Sequence, residues 1–310
     1  MVRQEWNVCG IDDDPVGFVD RLISFARAYA NFTAGKDPQG NPDPHLKNIS
    51  LLSGVARQHF ILLLAGHKLP PDAFTELTRQ IENLLFCYIV TREPTRMFER
   101  NFAHWSKDMR IVRDATDLGS FVANYFIPEL KNRSNAFDFA FEQLSSSKIQ
   151  QYRMRYILAK LTQYVEQEAW QNPAFADLEQ YVNKSVEIEH ILSQTPAQEV
   201  LAAFDKPEDY EFYVGKLGNL TLLEQPINAS IGNGPFKTKT CGYKQSRFLL
   251  TKSLAEKVQV GKNTRVDRVA RDLCEFKTWE SKDIDDRQDM LARLARLVWL
   301  PEIPTDSKGN

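Results

Sequence analysis

The sequence predicts a mainly α chain with one small two-stranded unit set between helical regions. Three observations carry this. Apolar residues recur at helical spacing as far as about residue 175, two short β-branched runs follow, and helical spacing returns after Phe236. The first helix lies in DDPVGFVDRLISFARAYANF, where Asp14 and Pro15 form a cap and first-turn pair and Phe18, Leu22, Phe25, Ala26 and Tyr29 recur behind them. A turn-rich loop, TAGKDPQGNPDPH, precedes a second helix read over LKNISLLSGVARQHFILLLA. A proline pair opens a third, PPDAFTELTRQIENLLFCYIVTR. Further helices fit TRMFERNFAHW, DLGSFVANYFI, NAFDFAFEQL and KIQQYRMRYILAKLTQYVEQEAW.

After Trp170 the texture changes. QNPAFADLEQ reads as a connector and VEIEHIL as a short strand. KPEDYEFYVGKLG reads as a helix ending at Gly218, NLTLL as a second strand and EQPINASIGNGPF as a loop. Helices then run from Phe236 to about Glu256, over TRVDRVARDLCEF and over SKDIDDRQDMLARLARLVWL, before a frayed tail. The expected domains are an all-helical one over 1–175, a second over 176–300, and a flexible tail over 301–310.

Composition narrows the function classes. The 310 residues are 43% hydrophobic and 26% charged, enough apolar material for a core and too much for disorder. Cys9, Cys87, Cys241 and Cys274 are far apart and form no CxxC, which argues against a thiolate zinc site or a disulfide framework. Free thiols and the absence of a signal-like start predict a cytoplasmic protein. FILLLAG is far too short to span a bilayer, so no membrane is expected.

The small unit holds the chemistry. Hydrolysis of a phosphodiester needs a group that takes a proton from water near neutral pH, which is histidine's range. It also needs a divalent ion on the phosphate, and Mg²⁺ asks for oxygen ligands and only one or two protein groups. Glu189, His190 and Asn228 can supply such a site, with Asn219 in support. Strict alternation would put Glu189 and His190 on opposite strand faces, so they converge only if the strand ends or bulges there. From Lys237 to Arg271 there are ten Lys or Arg and two acids, a basic stretch of the kind that tracks a nucleic-acid backbone.

Three segments, IEHILSQ, LGNLTLL and INASIGNGPFKTK, resemble the parts of an HNH nuclease, the ββα-metal fold. The nearer resemblance is to the C-terminal HNH domain of GmrSD-type restriction enzymes. It rests on EHILSQ, LGNLTLL, Asn228, Asn233, Phe236, Lys239, Tyr243 and Ser246, then Trp279, Ile284, Arg287 and Leu291, and covers about residues 180–300. The preceding helical region resembles, more weakly, the segment before this domain in long GmrSD-like chains. The family's proline falls on Ser193 here.

The resemblance implies a ββα-metal HNH unit embedded in helices and a metal-dependent DNA endonuclease that nicks or cleaves in restriction of modified or foreign DNA. His190 would be the general base, Glu189 and Asn228 the ligands of Mg²⁺ or Mn²⁺, and Asn219 the residue holding His190. Lys239, and with it Lys237, would sit beside the phosphate, and Lys244 and Arg247 would extend the DNA contact. Asn233 divides evenly between turn residue and site residue. GmrSD-like systems act on modified DNA such as glucosylated hydroxymethylcytosine and pair the nuclease with a nucleotide-hydrolysing sensor of ParB-like fold. The chain is accordingly expected to be part of a longer protein or one subunit of a pair.

Each residue has a plainer reading. A lone strand histidine is most often a core residue, and Glu187, alternating with Glu189, reads as a solvated strand position. Trp279 and Arg287 read as structural, as do His45, His59, His67 and His104. The rival to an endonuclease is a catalytically inactive DNA-binding or scaffold module of a defence complex.

Overall fold

The computed structural model describes residues 14–53, 57–172, 175, 177–258, 264–270, 273–301 and 303. The chain divides into two compact units, 1–131 and 132–310. That division falls well before the change of texture at 175, because two of the helices assigned to the first domain pack in the second unit.

The first unit is helical. Asp14 caps α1 (Pro15–Thr33) by accepting from the Gly17 amide at 2.9 Å, as the sequence predicts. Val16, Val19, Leu22, Ile23, Phe25 and Tyr29 of this helix are exposed, and only Ala28 and Phe32 are buried. Apolar spacing thus fixed the helix but not what covers it. The second predicted helix is two, α2 (Pro44–Ser53) and α3 (Phe60–Ala65), and residues 54–56 lie outside the described ones. The centre is α4 (Pro71–Val90), which buries most of its residues, polar ones such as Thr78, Gln80, Glu82 and Asn83 included. Within it the buried Glu82 carboxylate takes His45 at 2.6 Å and Asn48 at 3.2 Å, a satisfied structural cluster. Then come α5 (Thr95–Met109), α6 (Ala115–Phe121), a π-helical turn (Val122–Phe126) and α7 (Ile127–Lys131).

In the second unit, α8 (Ser134–Glu142) leads to the long α9 (Gln151–Trp170). A short α10 (Glu179–Val182) precedes β1 (Val186–His190), and α11 (Gln198–Ala203) and α12 (Tyr210–Gly215) precede β2 (Leu220–Glu224). The strands pair antiparallel, Val186 opposite Glu224 and His190 opposite Leu220. The segment read as a loop after β2 holds a helix, α13 (Gln225–Ile231), with Pro226 in its first turn, where proline is favoured. Beyond it are α14 (Phe236–Tyr243), α15 (Leu249–Lys252), α16 (Arg265–Ala270) and α17 (Ser281–Trp299). The helix read from Phe236 to Glu256 therefore breaks after Tyr243. The tail over 304–310 lies outside the described residues.

Helix α9 lies against β2, α15, α16 and α17, so it belongs to this unit by packing. The turn before β2 is pinned by α17. Arg287, fully buried, donates through Nη1 to the carbonyls of Gly218 and Leu220, both at 2.7 Å. Gln288 accepts from the Gly218 amide and donates to the Phe141 and Leu144 carbonyls. A Cβ at Gly218 would lie 2.2 Å from the Ile284 carbonyl oxygen, so glycine is required by the close approach of α17. We expect Gly218→Ala to cost about 3 kcal/mol, at the upper end of overpacking because the obstacle is backbone. Denaturant unfolding checks this, and a loss below about 0.5 kcal/mol would refute it.

Candidate nuclease site

His190 closes β1. Its ring is partly buried, and Nε2 is shut off from solvent with no hydrogen-bond partner among the described residues. Burial, and secondarily the Lys239 ammonium, push its pKa down to about 4, so the imidazole is neutral at physiological pH. An unpaired buried nitrogen of this kind typically costs about 1–3 kcal/mol, and such costs cluster where a site needs the free atom. The unfolded histidine, with its ordinary value of 6.5, binds a proton that the folded one refuses. The site's contribution to stability is therefore full above pH 6.5 and is lost as pH falls toward 4. His190→Gln should flatten that part of the stability–pH curve. An unchanged slope between pH 4 and 6.5 would show that the imidazole is not held this way.

Asn219 is fully buried and its amide is saturated. Oδ1 accepts from the Leu192 amide at 2.6 Å and from Trp279 Nε1 at 2.9 Å. Nδ2 donates to the carbonyls of Leu192 and Val214, each at 3.0 Å. The Ile191 amide adds a bond to the Asn219 carbonyl. Asn219 thus clamps the chain immediately after His190 and is a positioning residue, with no free group for the reaction itself. Trp279 braces Asn219 from behind and stacks on Phe236 at 5.2 Å.

The acid pair departs from expectation. Glu189 was expected to share a cation with Asn228. Instead its Oε1 accepts from Lys239 Nζ at 2.7 Å and from Tyr243 Oη at 2.8 Å, with Glu189 and Lys239 only 6% and 1% exposed. Lys239 also donates to the His190 carbonyl at 2.7 Å. The lysine is therefore buried beneath the strand rather than displayed to a phosphate. The reason is legible in the spacing. Phe236, Lys239 and Tyr243 fall on one face of α14, and all three are buried. Burial and the neighbouring Glu189 raise the Tyr243 pKa far above its ordinary value, which keeps the phenol a donor.

Asn228 pairs with Glu187, its Nδ2 donating to Oε2 at 2.7 Å. Glu187 is the residue that sequence reasoning set aside as solvated. The signal that would have found it is α13, which packs against β1 and lays Asn228 along the strand. The carboxylate of Glu187 and the amide oxygen of Asn228 are hard oxygen donors of the kind Mg²⁺ or Mn²⁺ accepts, although here it is the Asn228 amide nitrogen that meets the carboxylate. With the Asn228 amide turned over, both oxygens would face one point and the donor set would suit a divalent ion, whereas the Glu189 charge is already matched by Lys239. Among the described residues no three His, Cys, Asp or Glu side chains gather, so any ion here would keep several waters.

Asn233 is exposed and donates to Thr195 Oγ1 at 2.8 Å, tying its loop to the chain leaving β1. Lys237 and Lys244 are exposed and seven residues apart, so they share one side of α14. Arg247 is exposed but pairs with Glu224, bonds the Gln180 carbonyl and lies over the Phe248 ring. Elsewhere in the basic stretch, Arg265 bonds Glu168, and Lys262 and Arg271 lie outside the described residues.

No helix among the described residues is long and apolar enough to cross a membrane. No curated protein matches the chain. A family model described as GmrSD restriction endonucleases, C-terminal domain, matches residues 131–294, from the start of the second unit into its last helix. That span holds β1, β2, the saturated Asn219 clamp and the helices that brace it, and it exceeds half of the 310 residues; the chain belongs to the GmrSD restriction endonuclease C-terminal domain family.

Proposed function

We propose that the chain is a divalent-cation-dependent endonuclease that nicks DNA, acting in restriction of modified or foreign DNA. One observation carries the reading. A half-buried, neutral imidazole ends a strand whose Glu187 meets Asn228, within a domain of a restriction endonuclease family. His190 takes a proton from the attacking water, and Asn219 fixes the chain that follows it. Glu187 and Asn228 hold the cation, Mg²⁺ or Mn²⁺. When bound, the ion supplies Lewis-acid stabilisation of charge on the phosphate and its leaving oxygen. Lys237 and Lys244 meet the DNA backbone. One such site cuts one strand, so the elementary product is a nick. A nucleotide-hydrolysing ParB-like sensor, as a further domain or a separate subunit, would direct the cut.

The test is nicking of supercoiled plasmid with Mg²⁺ or Mn²⁺, wild type against His190→Ala. Equal rates would defeat the assignment. We also expect Glu187→Gln to weaken Mn²⁺ binding roughly tenfold or more, since affinity at hard-cation sites follows ligand charge. Paramagnetic resonance of free Mn²⁺ reads this directly, and a Glu187→Gln protein that titrates like wild type would remove Glu187 from the site.

A second reading, a DNA-binding or scaffold module that does not cut, is favoured by two observations. The Glu189 charge is matched by Lys239, and Nε2 of His190 is covered. DNA binding with no nicking under either metal would establish it.

A further inference from the structure

A cavity of about 290 Å³ opens between the chain leaving β1 and the first turn of α14. Ile191 and Ser193, just after His190, form one wall, and Phe204, Phe236 and Trp279, each less than a tenth exposed, line the apolar floor. Lys237 in the first turn of α14 and Lys277 in the irregular segment before α17 both line it, and both are exposed. Neither joins an ion pair among the described residues. The acid beside them, Glu280, is already engaged, since its carboxylate accepts from the backbone in the capping box of α17. Pro235 occupies the cap position of α14 and no side chain caps that helix. The cavity therefore pairs an apolar interior with a rim of two lysines and one carboxylate, net positive by one charge.

That combination suits a flat, apolar ring system joined to an anion. The volume is at the small end for ligand sites, which limits the occupant to one or two fused rings. The surroundings favour a polymer over a free mononucleotide. Lys244 continues the positive side of α14 away from the cavity, where a single nucleotide would not reach, and Ser193 joins the cavity wall to the nuclease strand. We propose that this cavity takes one unstacked nucleobase of the DNA strand, with the phosphate beside that base held between Lys237 and Lys277. The assignment deepens the nuclease reading and rests on it for the identity of the polymer. An apolar floor accepts any base, and the lysines recognise only the backbone, so the subsite favours unstacked over stacked DNA rather than one sequence.

The experiment uses the full chain and an oligonucleotide carrying one 2-aminopurine, single-stranded or in duplex, without divalent metal so that no cutting occurs. The expected result is a fluorescence change on binding to wild type in at least one of the two forms. Ala203→Trp, which places an indole at an exposed position on the cavity wall, should abolish that change and weaken binding about tenfold, within the range for losing one base–aromatic stack. Lys237→Ala with Lys277→Ala should lower the slope of log affinity against log salt by about 0.7, for the one phosphate they share. A signal in single strands alone assigns the cavity to DNA already opened, and a signal in duplex as well assigns it to a base drawn from the stack; both support the proposal. An unchanged signal and affinity in Ala203→Trp overturn it, and so does an unchanged salt slope in the double lysine variant. The plasmid assay separates the two readings. Nicking that depends on His190, beside an Ala203→Trp protein that binds like wild type, removes the base site and keeps the nuclease. A signal abolished by Ala203→Trp in a chain that never nicks does the reverse.

Discussion

His190→Ala is expected to lower the nicking rate about 10²–10⁴-fold, the range that a positioned proton acceptor contributes. DNA affinity should change little, because the imidazole sits at the end of β1 and the exposed lysines lie on α14. The fold should survive as well. Nε2 has no protein partner to lose, and removing an unpaired buried nitrogen relieves a desolvation cost. That combination distinguishes a reacting group from a structural one. A core histidine would give a less stable protein with its residual activity in proportion to the folded fraction. Chemical denaturation beside the plasmid assay reads both quantities, and a slow variant whose slowness vanishes after correction for folded protein would count against a role in proton transfer.

Lys239→Met is expected to cost about 3–5 kcal/mol of stability, the usual penalty for leaving a buried charge without its partner. The Glu189 carboxylate would keep only Tyr243 as a donor, in a site 6% exposed. The companion change separates pairing from packing. Glu189→Gln with Lys239→Met removes both charges and should recover a large part of the loss, since replacing a whole buried pair is far milder than halving it. A double variant as unstable as Lys239→Met alone would mean that the lysine's stem, rather than its charge, is what the core needs. The same pair of proteins bears on the cation. If Glu189 served the metal rather than Lys239, the double variant would fold and fail to bind Mn²⁺.

The motif was legible because its parts are defined by residue type and spacing. Asn219 at the start of the second strand spends the four hydrogen bonds of its amide on Leu192, Val214 and Trp279, and so fixes the chain that follows His190. Partner choice was not legible. Glu187 and Glu189 alternate on one strand and differ in sequence by nothing that announces which will meet Asn228. The answer depends on α13, hidden in a stretch whose Pro, Asn and Gly composition resembles a loop. Lys239 was misassigned because a lysine beside a phosphate-binding motif invites an electrostatic reading. Its position between Phe236 and Tyr243 on an apolar helix face pointed inward all along. The domain boundary escaped for a different reason. Helices α8 and α9 have the same texture as those before them, and only tertiary packing assigns them to the second unit.

The bracing of the LGN turn by Trp279, Arg287 and Gln288 has a practical corollary for protein engineering. A gene fragment stopping near residue 250 would encode every motif residue from Glu187 to Tyr243, yet would lack the three side chains that grip Asn219 and Gly218 from behind. Such a fragment should be a poor graft. A portable cassette would have to run from the start of α8 through the end of α17, carrying the Phe141 and Leu144 carbonyls on which Gln288 is anchored.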